Sequence, residues 1–166
     1  MFRFELLSLP LRGEDTGVLA IQKSPQSWQE WLICEHFPIQ TESHRIIDKI
    51  RLCFAAASRI YIRRASMLDP SQEQKAATQD LLDRLESIPP YTPGAHALVW
   101  PCFVAGAEAE KPGQRAFCVE YMYAIYKRTR FKNVPVAIHS LEELWARKGD
   151  RRWTQCLSEF SHVLIM

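Results

Sequence analysis

From residue 42 onward, apolar positions recur in steps of three and four. Between Glu42 and Met67 they are Ile46, Ile47, Ile50, Cys53, Phe54, Ala57, Ile60, Tyr61 and Met67, one face of a long amphipathic helix. Asp69-Pro70 ends it, because proline has no amide donor and disfavours helix in the residue before it. A second helix is predicted from about Ser71 to Ser87, with Ala77, Leu81, Leu82 and Leu85 inward and Pro89-Pro90 as its stop. The third stretch, about Ala95 to Ala109, is apolar around its whole circumference, as a helix at the centre of a bundle is. Pro101 within it predicts a kink, or a helix that restarts there. Ala105, Gly106 and Ala107 are small enough to admit a close neighbour.

Pro112 opens a fourth predicted helix, to about Thr129, with Val119, Met122, Tyr123 and Tyr126 on its face. A fifth runs from about Asn133 to Lys148, with Val134, Ala137, Ile138, Leu141, Leu144 and Trp145 inward and Gly149 as its stop. The last, about Asp150 to Leu164, carries Trp153, Cys156, Leu157, Phe160, Val163 and Leu164 at the same spacing. Short connections favour antiparallel neighbours. The fold class is all-α, an antiparallel bundle of about six helices with a kinked apolar central helix. Residues 1–24 break the pattern: Phe2, Phe4 and Leu6 alternate with Arg3 and Glu5, and the stretch after them is interrupted by Gly13, Gly17 and Pro25. The expected division is an irregular N-terminal arm over 1–24 and a helical domain over 25–166.

A chain of 166 residues fits one domain, and at 47% hydrophobic it has the apolar residues that a disordered charged tail lacks. The formal charge of +2 is too small to point to nucleic acid by itself. Arg3 and Glu5 spoil the first residues as a secretory signal. The longest apolar run, Ala97 to Ala107, falls short of the roughly 20 residues a bilayer requires. The expected place is the nucleus, with the cytoplasm as the alternative, and no membrane partner.

Candidate chemistry is sparse. Cys34, Cys53, Cys102, Cys118 and Cys156 contain no C-x-x-C pair, so buried free thiols are the expected state rather than a disulfide framework or a zinc site. Cys102 lies six residues from His96 and Cys156 six from His162, about 120° apart around a helix, so neither pair forms a local nucleophile and base. His36, His44 and His139 add no metal spacing. Asp80, Asp83 and Glu86 step by three, as a solvated face does, and Glu108 and Glu110 end an apolar helix. There is no G-x-S-x-G, P-loop or G-x-G-x-x-G. No enzyme, cofactor or metal is expected.

Two basic clusters, Lys127, Arg128, Arg130, Lys132 and Arg147, Lys148, Arg151, Arg152, fall at predicted helix C-termini, where cations complement the macrodipole. Phosphate contact or a nuclear localisation patch is the alternative. Trp100, Phe103, Tyr121, Met122, Tyr123, Tyr126, Trp145 and Trp153 are expected as core. Should they line a pocket for an apolar ligand instead, Trp100, Phe103, Met122 and Tyr126 are its candidates.

The string Ala97-Leu-Val-Trp100-Pro101-Cys-Phe103-Val-Ala-Gly106-Ala-Glu108-Ala resembles a hallmark stretch of the fungal-specific transcription factor domain, the helical effector region of fungal zinc-cluster (Zn2Cys6) regulators. The match continues in order. Ile60-Tyr61-Ile62-Arg63-Arg64, Leu81-Leu82 and Ile88-Pro89-Pro90 precede the hallmark; Arg115, Leu141-Glu142-Glu143-Leu144-Trp145, Asp150, Trp153 and Leu164-Ile165-Met166 come after it. Roughly residues 43–166 are covered. The resemblance implies an α-helical regulatory module of a nuclear transcription regulator, with Trp100, Pro101, Phe103, Gly106, Glu108, Arg115, Trp145 and Trp153 as hallmark positions of structural type. In sterol-responsive members the corresponding region holds a sterol in an apolar pocket.

Such regulators usually begin with a six-cysteine zinc cluster, a linker and a long helical region, and the spacing of the five cysteines here does not match that cluster. The chain resembles the C-terminal part of the family alone, and direct sequence-specific DNA binding is not expected of it. The expected function is to modulate transcription through self-association, a larger transcription regulator or an apolar ligand. The alternative is a stand-alone helical carrier or sensor of a sterol-like ligand with no transcriptional role.

Overall fold

The computed structural model describes residues 13–23, 42–66, 72–147 and 151–160. Among these residues are seven α-helices, in chain order α1 (Glu14–Lys23), α2 (Glu42–Ala65), α3 (Gln72–Glu86), α4 (Val99–Glu108), α5 (Pro112–Thr129), α6 (Asn133–Ala146) and α7 (Trp153–Cys156). A 3-10 turn, Ala95–Leu98, leads into α4, and another, Leu157–Phe160, succeeds α7. The described residues contain no strand, so the architecture is the expected all-α bundle.

α4 is its axis. Every side chain from Val99 to Gly106 is buried, which its uniformly apolar sequence requires. It packs against α2, α3, α5 and α6. Pro101 stands in the first turn of α4, where its missing amide costs no intrahelical bond, so the break in the helix falls two residues earlier, at the 3-10 junction. That junction begins at Gly94, whose φ of 86° suits glycine. Gly106 marks the closest approach on the other side: a Cβ there would stand 2.8 Å from Leu141 Cδ1 and 3.3 Å from Cys118 Cβ.

α2 turns Ile50, Cys53, Phe54, Ala57, Ile60 and Tyr61 inward, as its periodicity predicts. α3 buries Leu81, Leu82 and Leu85 together with two polar residues, Gln74 and Thr78. Gln74 Nε2 donates to the Ile60 carbonyl at 3.2 Å, and Thr78 Oγ1 to the Gln74 carbonyl at 2.9 Å. α6 buries Val134, Ala137, Ser140 and Leu141.

Three expectations are corrected. α5 buries Cys118, Tyr121, Met122 and Ile125, so its inner face is turned from the predicted one and leaves Tyr123 exposed and Tyr126 half-buried. The helix is apolar on more than one side, and the Tyr121 hydroxyl fixes the choice by donating to the Ile88 carbonyl at 2.6 Å. Residues 14–23, expected as irregular, form α1, whose Val18 and Ile21 pack on the core. So short a helix is held by docking rather than by propensity, which is why its pattern is faint. The last helix is a single α-turn that passes into a 3-10 turn at Leu157, because Trp153, Thr154, Cys156 and Leu157 all turn inward. Phe2, Phe4, Leu6, Met67, Asp69-Pro70, Gly149, Asp150 and the terminal Val163 to Met166 lie outside the described residues.

Candidate functional site

Five of the eight hallmark residues, Gly106, Glu108, Arg115, Trp145 and Trp153, meet at the C-terminal end of α4, with Phe103 packed against Trp153, while Trp100 and Pro101 stand in its first turn. Glu108 is the last residue of that helix, the end where a carboxylate opposes the macrodipole. Arg64, from the last turn of α2, compensates it in a two-pronged pair: Nε donates to Oε1 at 2.7 Å, and Nη2 donates to Oε2. The indole N–H of Trp153 donates to the same Oε1 at 2.7 Å. The Glu108 side chain is only 3% exposed and that of Arg64 18%, so the pair is largely shielded from water. Trp153 also packs edge-on to Tyr61 and Phe103, at 5.8 and 6.3 Å between ring centres. One carboxylate thereby ties α2, α4 and α7 together.

A second set of ties lies beside it. The Trp145 indole N–H donates to the Gly106 carbonyl at 2.9 Å. Arg115 Nε donates to the Ala109 carbonyl at 3.0 Å while its guanidinium stands 5.1 Å from the centre of the Trp145 ring. Where α4 ends, the Gly106 carbonyl, which also accepts from the Ala109 N–H at 3.2 Å, and the Ala109 carbonyl are thus met by side chains of α6 and α5. Gly106 has both to keep its surface bare for Leu141 and to present its carbonyl to Trp145.

The chemistry of this cluster is retention. Glu108 has both oxygens engaged by N–H donors, an arrangement that holds charge in place. Reading Glu108 as a plain helix end misses this, although its position offered a signal: a glutamate closing a wholly apolar helix calls for a cation from elsewhere. Arg64 is 44 residues away in sequence, so no local spacing could name it.

A smaller clasp joins α1 to the segment around α7. Glu14 receives Arg152 through both its oxygens, at 3.2 Å from Nε and 2.7 Å from Nη2, and Thr154 Oγ1 also donates to it. Arg147 and Arg151 share Glu159. The second basic cluster is therefore largely consumed in ion pairs, and Lys148 lies outside the described residues. The first has a different setting: Lys127, Arg128, Arg130 and Lys132 are all exposed. Arg130 caps α5 in the left-handed conformation, φ 59°, with its N–H on the Tyr126 carbonyl.

The four pocket candidates have different neighbours. Trp100 stacks on Phe54 at 5.8 Å, Phe103 meets Trp153, and Met122 is fully buried. Tyr126 sits on the outer side of α5 beside Tyr123. An open depression of about 330 Å³ lies elsewhere, lined by Gly13, Glu14, Asp15, Thr16 and Gln155. Cys53, Cys102, Cys118 and Cys156 are buried free thiols; Cys102 Sγ lies 3.5 Å from the Cys118 carbonyl, and burial pushes its thiol well up. Among the described residues no group of His, Cys, Asp and Glu is placed to hold a metal ion, and no helix is long and apolar enough to cross a membrane.

The chain is similar to known proteins. A family model described as the fungal specific transcription factor domain matches residues 20–166. The acriflavine sensitivity control protein acr-2 of Neurospora crassa is 32% identical over 100 aligned positions, covering 53% of this chain. The chain spans 17% of that relative's length. No solved structure matches at a significant level.

Proposed function

The chain belongs to the family of fungal-specific transcription factor domains, and on that premise we propose that it is the regulatory, non-catalytic module of a nuclear transcription regulator. It modulates transcription by contact with another protein, either a larger regulator or a second copy of itself. The observation that carries this reading is the use made of the hallmark. Its polar and aromatic members, Glu108, Trp145 and Trp153 with Arg64 and Arg115, close the bundle on itself. A bundle end closed by its own side chains leaves the surface to make the contacts with another protein. Direct reading of a DNA sequence is not assigned to it.

The test is a tethering assay. The full chain is joined to an unrelated DNA-binding domain and placed upstream of a reporter in a fungal host. A reporter output shifted in either direction, and returned to baseline by Glu108→Ala at equal expression, is the expected result. An unchanged reporter with the fusion present in the nucleus would overturn the reading.

A further inference from the structure

Tyr123, Tyr126, Lys127 and Arg130 stand at i, i+3, i+4 and i+7, and so share one face of α5. The two tyrosine rings lie 6.2 Å apart. Lys127 Nζ stands 4.8 Å from the centre of the Tyr123 ring, and the Arg130 guanidinium 5.9 Å from that of Tyr126. Just past the helix, Phe131 meets His96 edge-on at 5.8 Å. Arg128 and Lys132, neighbours in sequence, are exposed as well.

None of these four cations pairs with a carboxylate among the described residues, whereas Arg63, Arg64, Arg84, Arg147, Arg151 and Arg152 all do. The one acid of α5, Glu120, lies a turn before Tyr123. Compensation of the macrodipole accounts for Lys127 and Arg128 in the last turn. It does not account for Arg130 and Lys132 beyond the helix, nor for the apolar surface between them. Tyr123 is 49% exposed and Phe131 50%, and with Val136 they are three of the six large apolar side chains exposed among the described residues.

We propose that this face docks an acidic peptide segment of a protein partner. Carboxylates of the segment meet Lys127, Arg128, Arg130 and Lys132, and its apolar side chains lie on Tyr123 and Phe131. Charge complementarity selects an anion, since the patch is positive and meets no carboxylate among the described residues. The apolar rings select a peptide over a nucleic acid. Lys127 and Arg130 each stand over one face of a tyrosine ring, so Tyr123 and Tyr126 offer their edges and at most one face, enough for an aliphatic side chain to cover and a poor platform for successive bases. Carboxylate and aliphatic groups alternating along one segment use both parts of the surface. The proposal rests on the regulatory reading above and adds to it the surface and the chemistry of the partner.

The probe is a fluorescein-labelled peptide alternating Asp with Leu and Phe, titrated with the full chain and followed by anisotropy. Saturable binding that weakens as salt is raised is expected, and K127E/R130E weakens it about tenfold or more. K127Q/R130Q gives a smaller loss, and thermal melts establish that both variants fold. Arg59→Glu, at an exposed position of α2, leaves binding unchanged. Absence of binding to the wild-type chain, an equal loss in Arg59→Glu, or tighter binding of a short DNA duplex at Lys127 and Arg130 overturns the proposal. A reporter that responds while peptide binding fails removes this surface and leaves the regulatory reading standing. A silent reporter with intact peptide binding does the reverse.

Discussion

The C-terminal end of α4 and the outer face of α5 use the same kinds of residue to opposite ends. Both set arginine or lysine against aromatic rings. At the first, Arg64 and Arg115 have their donors engaged by Glu108 and the Ala109 carbonyl, and Trp153 and Trp145 give up their indole N–H groups to the same helix end. At the second, Lys127 and Arg130 lie over Tyr123 and Tyr126 with no carboxylate among the described residues to hold them. Residue type is the same; what differs is whether an anion is built in. A cation and ring with an internal anion hold the bundle together, and those without one are free to meet an anion from outside.

The sharpest way to break this contrast is Glu108→Ala. It strands the Arg64 guanidinium and the Trp153 indole N–H in a shielded site, and removing one partner of a buried pair costs about 3–5 kcal/mol. Urea unfolding measures it: the unfolding free energy should fall by that amount, with the slope unchanged. A loss under about 1 kcal/mol would show the pair to be solvated and the hub to be ordinary surface. Gly106→Ala acts on the same helix end through sterics. The new methyl displaces Leu141 and crowds Cys118, at an expected cost of about 1–3 kcal/mol in the same assay.

Helix type and most boundaries were legible because apolar residues at steps of three and four can be placed only on helices that share a core. α5 from Pro112 to Thr129 is the plainest case. Its rotation was not legible: Tyr123 and Tyr126 carry the same side chain as Tyr121, and the choice between faces is made by Ile88, in a loop 33 residues away. α1 was hidden for a related reason. It contributes little beyond Val18 and Ile21 to the core and is anchored by Glu14 to Arg152, 138 residues on. The hallmark string located the central cluster, while the partners of its glutamate came only from the fold. Long-range ion pairs leave no periodicity behind them.

Alkali tests the interior by a separate route. Burial pushes the Cys53 thiol from 9.0 up to about 11, and burial raises the Tyr61 phenol above its ordinary value as well, helped by Glu14 and Asp15. Both shifts favour the protonated group in the folded state. In the unfolded chain the thiol ionises from about pH 9, so stability is whole below that pH and is lost as pH climbs towards 11. The loss from Cys53 is about 2 kcal/mol by pH 11, read as a falling thermal midpoint. Cys53→Ala should flatten that alkaline limb; an unchanged limb would assign it to Cys102 and the buried tyrosines. Trp153→Phe returns to the hub with a gentler change, keeping the ring contacts with Tyr61 and Phe103 and removing one donor from Glu108. Its expected cost is about 1–2 kcal/mol, below that of Glu108→Ala.

The smallest expected effect is the one that separates the two regions. Tyr123→Ser and Lys127→Gln remove a ring and a charge from the outer face of α5, where neither makes a buried contact or an ion pair among the described residues. Each should shift unfolding by about 0.5 kcal/mol or less. A stability loss matching that of Trp153→Phe would mean that the cation and ring here are structural after all, as they are beside Glu108. Near-neutral stability combined with weakened peptide binding would put the cost of those exposed rings on the side of recognition. An apolar ring half open to water adds little to folding, and its contribution then appears only when a partner covers it.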